Sequence, residues 1–183
     1  MRYLSLVLLL LVAGCATKVP SFIVAPQIFW PQTTELSGRQ FSFSVVDLRP
    51  RTHSLTIQQG GNENNYRTSN DVRFQLEKTV AAALTEQGAN LLGQQGTQLK
   101  IQINQLQANV QQRPLDHLVT NQVALTIFIQ RDDGSFTKSY AGDSSYTAPF
   151  KVDLAAVERE LRILTEQVLN QLLQDPTWKS ELN

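Results

Sequence analysis

Cysteine is almost missing from this sequence: Cys15 is the single one in 183 residues. That excludes an intrachain disulfide framework and any zinc site built on paired thiolates. Histidine is nearly as scarce. His53 and His117 stand alone, neither with a companion at metal-ligand spacing. An excess of one charge sign is also missing. Sixteen basic and sixteen acidic side chains cancel, which leaves no basic footprint for nucleic acid and no polybasic patch for lipid headgroups. Apolar runs are short. Leu4 to Val12 is apolar apart from Ser5, and as a helix it would span about 14 Å, against a bilayer core of about 30 Å. No Gly-x-Ser-x-Gly elbow and no Gly-x-x-x-x-Gly-Lys phosphate loop occurs. Ser144-Ser145 has no evident base beside it. Asp132-Asp133 reads as a turn, and Glu158 and Glu160 as the polar face of a helix.

What is present begins at the amino terminus. Met1-Arg2-Tyr3, the apolar run and the small residues Ala13-Gly14 have the layout of a secretory signal. Val12-Ala13-Gly14-Cys15 resembles the bacterial lipobox, since a short apolar run, small residues before cysteine, an early position and a lone cysteine coincide. The resemblance implies diacylglycerol on the Cys15 sulfur, cleavage after Gly14 and an acyl chain on the new amino group. One chain binds a membrane marginally and several bind it firmly. Ala16, rather than Asp, follows the cysteine; under the sorting rule of enteric-type bacteria this implies the outer membrane. Residues 1–14 are thus expected to be the signal peptide, 15–21 the acylated end and tether, and 22–183 a single domain facing the periplasm.

In "FIVAPQIFWPQ", Phe22, Val24, Ile28 and Trp30 share a parity. Pro26 and Pro31 allow only an edge strand, so residues 22–31 are either such a strand or an exposed aromatic segment awaiting a partner. "FSFSVVDLRP" alternates as a strand ending near Asp47, and "HSLTIQ" is a second strand. The polar, glycine-bearing stretch 59–68 reads as a loop. A helix follows Ser69 or Asn70 as cap, with Val72, Leu76, Val80, Ala83 and Leu84 as its apolar stripe and Gly88 as its stop. In "QLKIQINQLQANVQQ" the apolar phase shifts after Ile103, which calls for a bulge near Asn104-Gln105. The glutamines between, and Gln94-Gln95 before them, read as a wet face. "NQVALTIFIQ" and "FTKSYAGDSSYT" form a hairpin about the Asp132–Ser135 turn. A second helix starts at Asp153, carries Leu154, Val157, Leu161, Leu164, Val168 and Leu172 on one face, and ends at Pro176. Trp178 falls in a short tail. Five or six strands joined mostly by tight turns, with two amphipathic helices on one face, predict an α+β two-layer sandwich with a mostly antiparallel sheet.

These stretches resemble the YajG-type lipoproteins of Gammaproteobacteria. The resemblance rests on "LVAGC", "VVDLRP", "SNDVRFQLEKTV", "LKIQINQLQANV" and "VALTIFIQRDDGSFTKSYAG", in order along most of the chain. It implies a small periplasm-facing lipoprotein and supplies no catalytic residues. The polar group of most interest is Asp47, Arg49 and Arg51 around Pro50. Arg49 offers a bidentate fork to a carboxylate or phosphate; equally, Asp47 could pair with an arginine to order the strand exit. Tyr66 and Arg67 adjoin that surface, and Trp30 is the aromatic of the amino-terminal segment. The functional expectation is a non-catalytic accessory module, held by its lipid at the membrane and docking an envelope protein. The alternative is a binder of glycan or peptidoglycan fragments, for which Tyr140, Tyr146, Trp30 and Phe136 are the candidate aromatics. A hydrolase ranks last, and no metal or nucleic acid is expected.

Overall fold

The computed structural model describes residues 21–91 and 96–182. The expected signal peptide, Cys15, most of the tether and Gln94-Gln95 lie outside the described residues. The described residues form, in order, β1 (Ser42–Asp47), β2 (Leu55–Gln59), β3 (Asn62–Tyr66), α1 (Val72–Glu86), β4 (Gln98–Gln112), β5 (Asp116–Arg131), β6 (Gly134–Pro149), α2 (Leu154–Gln174) and α3 (Pro176–Ser180). They form one mixed sheet in the order β3-β2-β4-β5-β6, with β1 also paired to β4. The architecture is the α+β sandwich that the apolar pattern predicts. Among the described residues, no helix is long and apolar enough to cross a membrane.

The long hairpin is the spine. β4, β5 and β6 pair antiparallel, β5 and β6 through a two-residue turn between Arg131 and Gly134. Odd-numbered apolar residues of β5, from Val119 to Ile129, are buried. In β4 the buried set is Leu99, Ile101 and Ile103, then Leu106, Ala108 and Val110, and the register shifts between Ile103 and Gln105. The bulge stands where the phase change demanded it. Gln102, Gln105 and Gln107 alternate with the buried residues on the open face.

Both helices lie over the buried face. The expected stripe of α1 is buried throughout, and that of α2 from Val157 onward. At Gly142 α2 packs tightly on the sheet: a Cβ there would lie 3.0 Å from both Leu164 Cδ1 and Val168 Cγ2. Asp153 caps α2 as predicted, accepting from the Ala155 N–H at 3.0 Å. The cap of α1 is Asp71, which accepts from the Phe74 N–H at 3.0 Å, rather than Ser69 or Asn70. The reason is that Asn70 is engaged elsewhere: it accepts from the Val24 N–H at 3.1 Å and donates to the Val24 carbonyl at 2.8 Å.

Four local outcomes depart from the sequence reading. Residues 22–31 form no strand. They run as a packed strap, with Phe22 and Val24 fully buried. Side chains replace the ladder: the Ile23 N–H donates to Glu158 Oε2 at 2.8 Å, the Gln27 N–H to Glu166 Oε1 at 2.9 Å, and Thr79 Oγ1 to the Pro26 carbonyl at 3.2 Å. Within the expected loop, β3 pairs antiparallel with β2. Gly60 and Gly61 both have positive φ, +57° and +84°, as a two-residue type I′ hairpin requires. β1 and β2 run parallel to β4; the connection holding α1 gives the long crossover that parallel strands need. Finally, Pro176 does end α2, but it also opens α3, where its missing N–H costs nothing, and Trp178 is fully buried.

Candidate functional site

β1 and β2 are two pieces of one interrupted line. β1 runs along Gln98–Ile103 and β2 along Ala108–Gln112, both parallel to β4. After Leu48, whose N–H donates to the Ile103 carbonyl at 3.0 Å, residues 49–53 leave the sheet, and the chain returns through the Ser54 carbonyl, which accepts from the Ala108 N–H at 2.8 Å. The bulge of β4 lies opposite this gap. Together they open a cleft of about 250 Å³ lined by Arg49, Pro50, Arg51, His53 and residues 104–107.

Arg49 builds the cleft wall. Its Nε donates to Asp47 Oδ1 at 2.8 Å, and its Nη2 to Asp47 Oδ2 at 2.6 Å. Nη1 donates to Ser54 Oγ at 2.7 Å and to the Leu106 carbonyl at 3.4 Å. The side chain is 7% exposed. The bidentate fork is therefore filled by Asp47 itself, the structural pairing foreseen at this strand exit. Burial disfavours the Asp47 carboxylate, but the hydrogen bonds and charge of Arg49 outweigh it and hold the carboxyl below its usual range.

Arg51 and Arg67 are differently placed. Both are exposed, and neither enters a salt bridge among the described residues. Arg51 lines the cleft beside His53, whose Nε2 is buried with no hydrogen-bond partner among the described residues, while Arg67 follows β3 outside the cleft lining. Burial, then the charge of Arg51, then Arg49 and Arg67, push the imidazole below its ordinary pKa, against an opposing pull from Glu63. The cleft thus presents an imidazole beside the Arg51 cation, on a frame fixed by the Asp47–Arg49 pair. That is a surface for an anionic group.

Of the residues singled out in the sequence, the structure gathers Asp47, Arg49 and Arg51 here, and leaves Arg67, just after β3, outside the cleft lining. Tyr66 is half-buried against the core, and its carbonyl accepts from the Ser54 N–H at 3.0 Å. Trp30 lies elsewhere, on the strap, with Lys179 Nζ 5.8 Å from its ring centre. His53 and residues 104–107 were missed. Their signal was the bulge itself, because an irregularity in a strand marks a place where the sheet is shaped for something else. Tyr146 lines a separate groove of about 240 Å³ between β6 and α2, with Ser144, Ser145, Arg159 and Glu160. The carboxylates considered for catalysis have structural partners: Asp133 pairs with Arg131, Glu160 with Arg159, and Glu158 holds the strap. Among the described residues, no three His, Cys, Asp or Glu side chains gather as metal ligands do.

A six-stranded mixed sheet, two long helices on one face and a cleft at a broken edge define a small α+β sandwich domain. The chain belongs to the family described as uncharacterized lipoproteins, whose match covers residues 26–183, the YajG-type lipoproteins that the motifs resemble. It is 24% identical over 173 residues to the uncharacterized lipoprotein YajG of Escherichia coli K12, covering 93% of this chain and 90% of that one. Among solved structures, protein XCC0632 of Xanthomonas campestris superposes with a TM-score of 0.51 at 17% identity, over 88% of this chain and 94% of that one. That likeness concerns the fold alone.

Proposed function

We propose that this protein is a membrane-anchored, periplasm-facing lipoprotein of the cell envelope, whose domain acts without catalysis by docking an envelope protein at the cleft between β1 and β2. Membership of a lipoprotein family supports the anchor, and Cys15 is its acceptor. Ala16 supports delivery to the outer membrane. The observation that carries the docking reading is the coincidence of two irregularities. Asn104 is an extra residue in β4: Ile103 pairs with Leu125 and Gln105 with Ala124. A β4 without it would keep the same partners on β5. The bulge serves the gap opposite, where Arg51 is held without a salt-bridge partner among the described residues, and the charge of Arg67, just after β3, adds to it. A partner bearing carboxylates suits that surface, and tethering makes weak contacts count by raising local concentration.

The test is photocrosslinking in cells from Arg51, Arg67 and, as a remote control, Trp30. Capture of one protein from 51 and 67 but not from 30, abolished at position 67 by R51E, is the expected result. Capture of glycan alone would replace this reading with a ligand-binding one, and no adduct from either arginine would remove the cleft from consideration. Density fractionation of the membranes checks the location: the protein should travel with the outer membrane.

A further inference from the structure

We infer that the domain makes a second membrane contact: an apolar tip formed by Leu115 and Phe150 dips into the leaflet that holds the Cys15 lipid. This rests on the lipid-anchor reading above. Leu115 sits in the turn between β4 and β5 and is 81% exposed; Phe150 follows β6 and is 76% exposed. They are joined, the Phe150 N–H donating to the Leu115 carbonyl at 2.8 Å. The Phe150 carbonyl accepts from Gln112 Nε2 at 3.0 Å and lies 3.1 Å from His117 Nδ1. So its backbone is pinned on both sides, at φ +64°, the one described non-glycine residue with positive φ. Glycine or asparagine adopts that conformation with ease, and a bulky residue does so only under strain. A costly backbone carrying a large apolar ring into solvent has no account within the domain. Of the exposed cations that flank the tip, Arg113 pairs with Asp116 at 2.6 Å, and Lys151 enters no salt bridge among the described residues; a cation there suits anionic headgroups.

The path of the chain says which surface the tip meets. The strap runs alongside α2 in the same direction, Ile23 bonded to Glu158 and Gln27 to Glu166. Traced backward from Ile23, it heads for the amino terminus of α2 at Leu154. That terminus follows Phe150 by four residues, and the Val152 N–H donates to Gln112 Oε1 at 2.9 Å, fixing it to the end of β4. The chain toward Cys15 therefore leaves the domain at the tip's own end. From Cys15 to Ser21 its full extension is at most about 20 Å. The turn at Asp132-Asp133 closes the opposite end of the sheet and would point away from the anionic surface.

The experiment places Trp at each end, as L115W and S135W, in the full-length acylated protein reconstituted into phosphatidylethanolamine–phosphatidylglycerol vesicles with brominated acyl chains. A residue about 5–10 Å below the headgroups lies beside those chains, so L115W should lose about twofold or more of its added emission while S135W loses none. Adding F150N to L115W should relieve the strained backbone, raising stability, yet reduce the quenching; a merely structural Phe150 would not give that pair of effects. Quenching of L115W no greater than that of S135W overturns the inference, as does protection of Leu115 by an envelope protein without quenching by lipid. Mass spectrometry of the amino-terminal peptide reads acylation separately. If Cys15 carries no lipid in cells, the anchor reading fails, and coupling Cys15 to a maleimide phospholipid then tests the tip alone.

Discussion

Arg49 satisfies Asp47, Ser54 and the Leu106 carbonyl at once. Arg49→Ala leaves the Asp47 carboxylate only the backbone N–H of residue 49 and leaves the buried Ser54 hydroxyl without its donor. Breaking a buried pair costs about 3–5 kcal/mol; with Asp47 still 29% exposed, a loss of about 2–3 kcal/mol is expected in urea unfolding. Arg49→Lys keeps the charge but not the fork, and should lose about 1 kcal/mol. A Lys variant as damaged as the Ala variant would show that geometry, not charge, holds the loop. His53 reports on the free cations instead. Its imidazole should titrate below the ordinary value of about 6.5, followed by the His53 ring signals in NMR. Arg51→Glu replaces the largest charge acting against the imidazolium with one that favours it, so the midpoint should rise. Burial still opposes the charged form, and an unmoved midpoint would mean that Arg51 does not face the ring.

At the scale of the elements, the break between β1 and β2 and the bulge in β4 form a single device, and deletions separate its parts. Removing Asn104 leaves Ile103 facing in, Gln105 out and Leu106 in, which is the regular alternation of a strand. The variant loses the Asn104–Thr126 hydrogen bond, worth about 1 kcal/mol, and should fold while losing whatever binds the cleft. Removing Gln107 turns Ala108 and Val110 out of the core and should not give soluble protein. Circular dichroism and the soluble yield decide; equal damage from both deletions would make the bulge a need of the fold. The bulge was legible in the sequence because buried positions change parity across it, as were both helix stripes and the long hairpin. β3 was not legible, since "NENNY" has only Tyr66 to pack on the core and its strand state rests on the Gly60-Gly61 turn, on backbone pairing and on the Thr56–Asn65 and Gln58–Glu63 hydrogen bonds to β2. Nor was the strap, where carboxylates on α2 far along the chain stand in for a neighbouring strand. The cleft was half legible: Asp47, Arg49 and Arg51 stood out by adjacency, but His53 and residues 104–107 join them only through the parallel pairing of β1 and β2 with β4, which no local pattern encodes.

The whole molecule is closed at its two ends by different means. The amino-terminal strap fills the layer beside the helices, and the carboxy-terminal segment clasps the sheet. Trp178 is buried, with its Nε1–H donating to the Leu172 carbonyl at 2.7 Å; Arg131 pairs with Glu181, and Lys179 with Glu35. Asp175 is the centre of this clasp. Its carboxylate accepts from Tyr140 Oη at 2.6 Å, from the Thr177 N–H at 2.9 Å and from Thr177 Oγ1 at 2.8 Å, with Lys138 Nζ at 2.5 Å. Burial works against the charge, but these donors prevail and hold the carboxyl well below the usual carboxylate range, while burial and Asp175 together push the Tyr140 hydroxyl up. A carboxyl with a depressed folded pKa stabilises the protein fully above its unfolded pKa of about 3.9, and that contribution is lost as pH falls through the folded value. Asp175→Asn keeps a cap but not the charge. It should cost about 1–2 kcal/mol near pH 7, the same near pH 5, and progressively less below about pH 4. Urea midpoints for both proteins across that range test the point, and a gap that stays constant into strong acid would show that Asp175 works as a neutral cap rather than as the anion binding β6 to the carboxy-terminal helix.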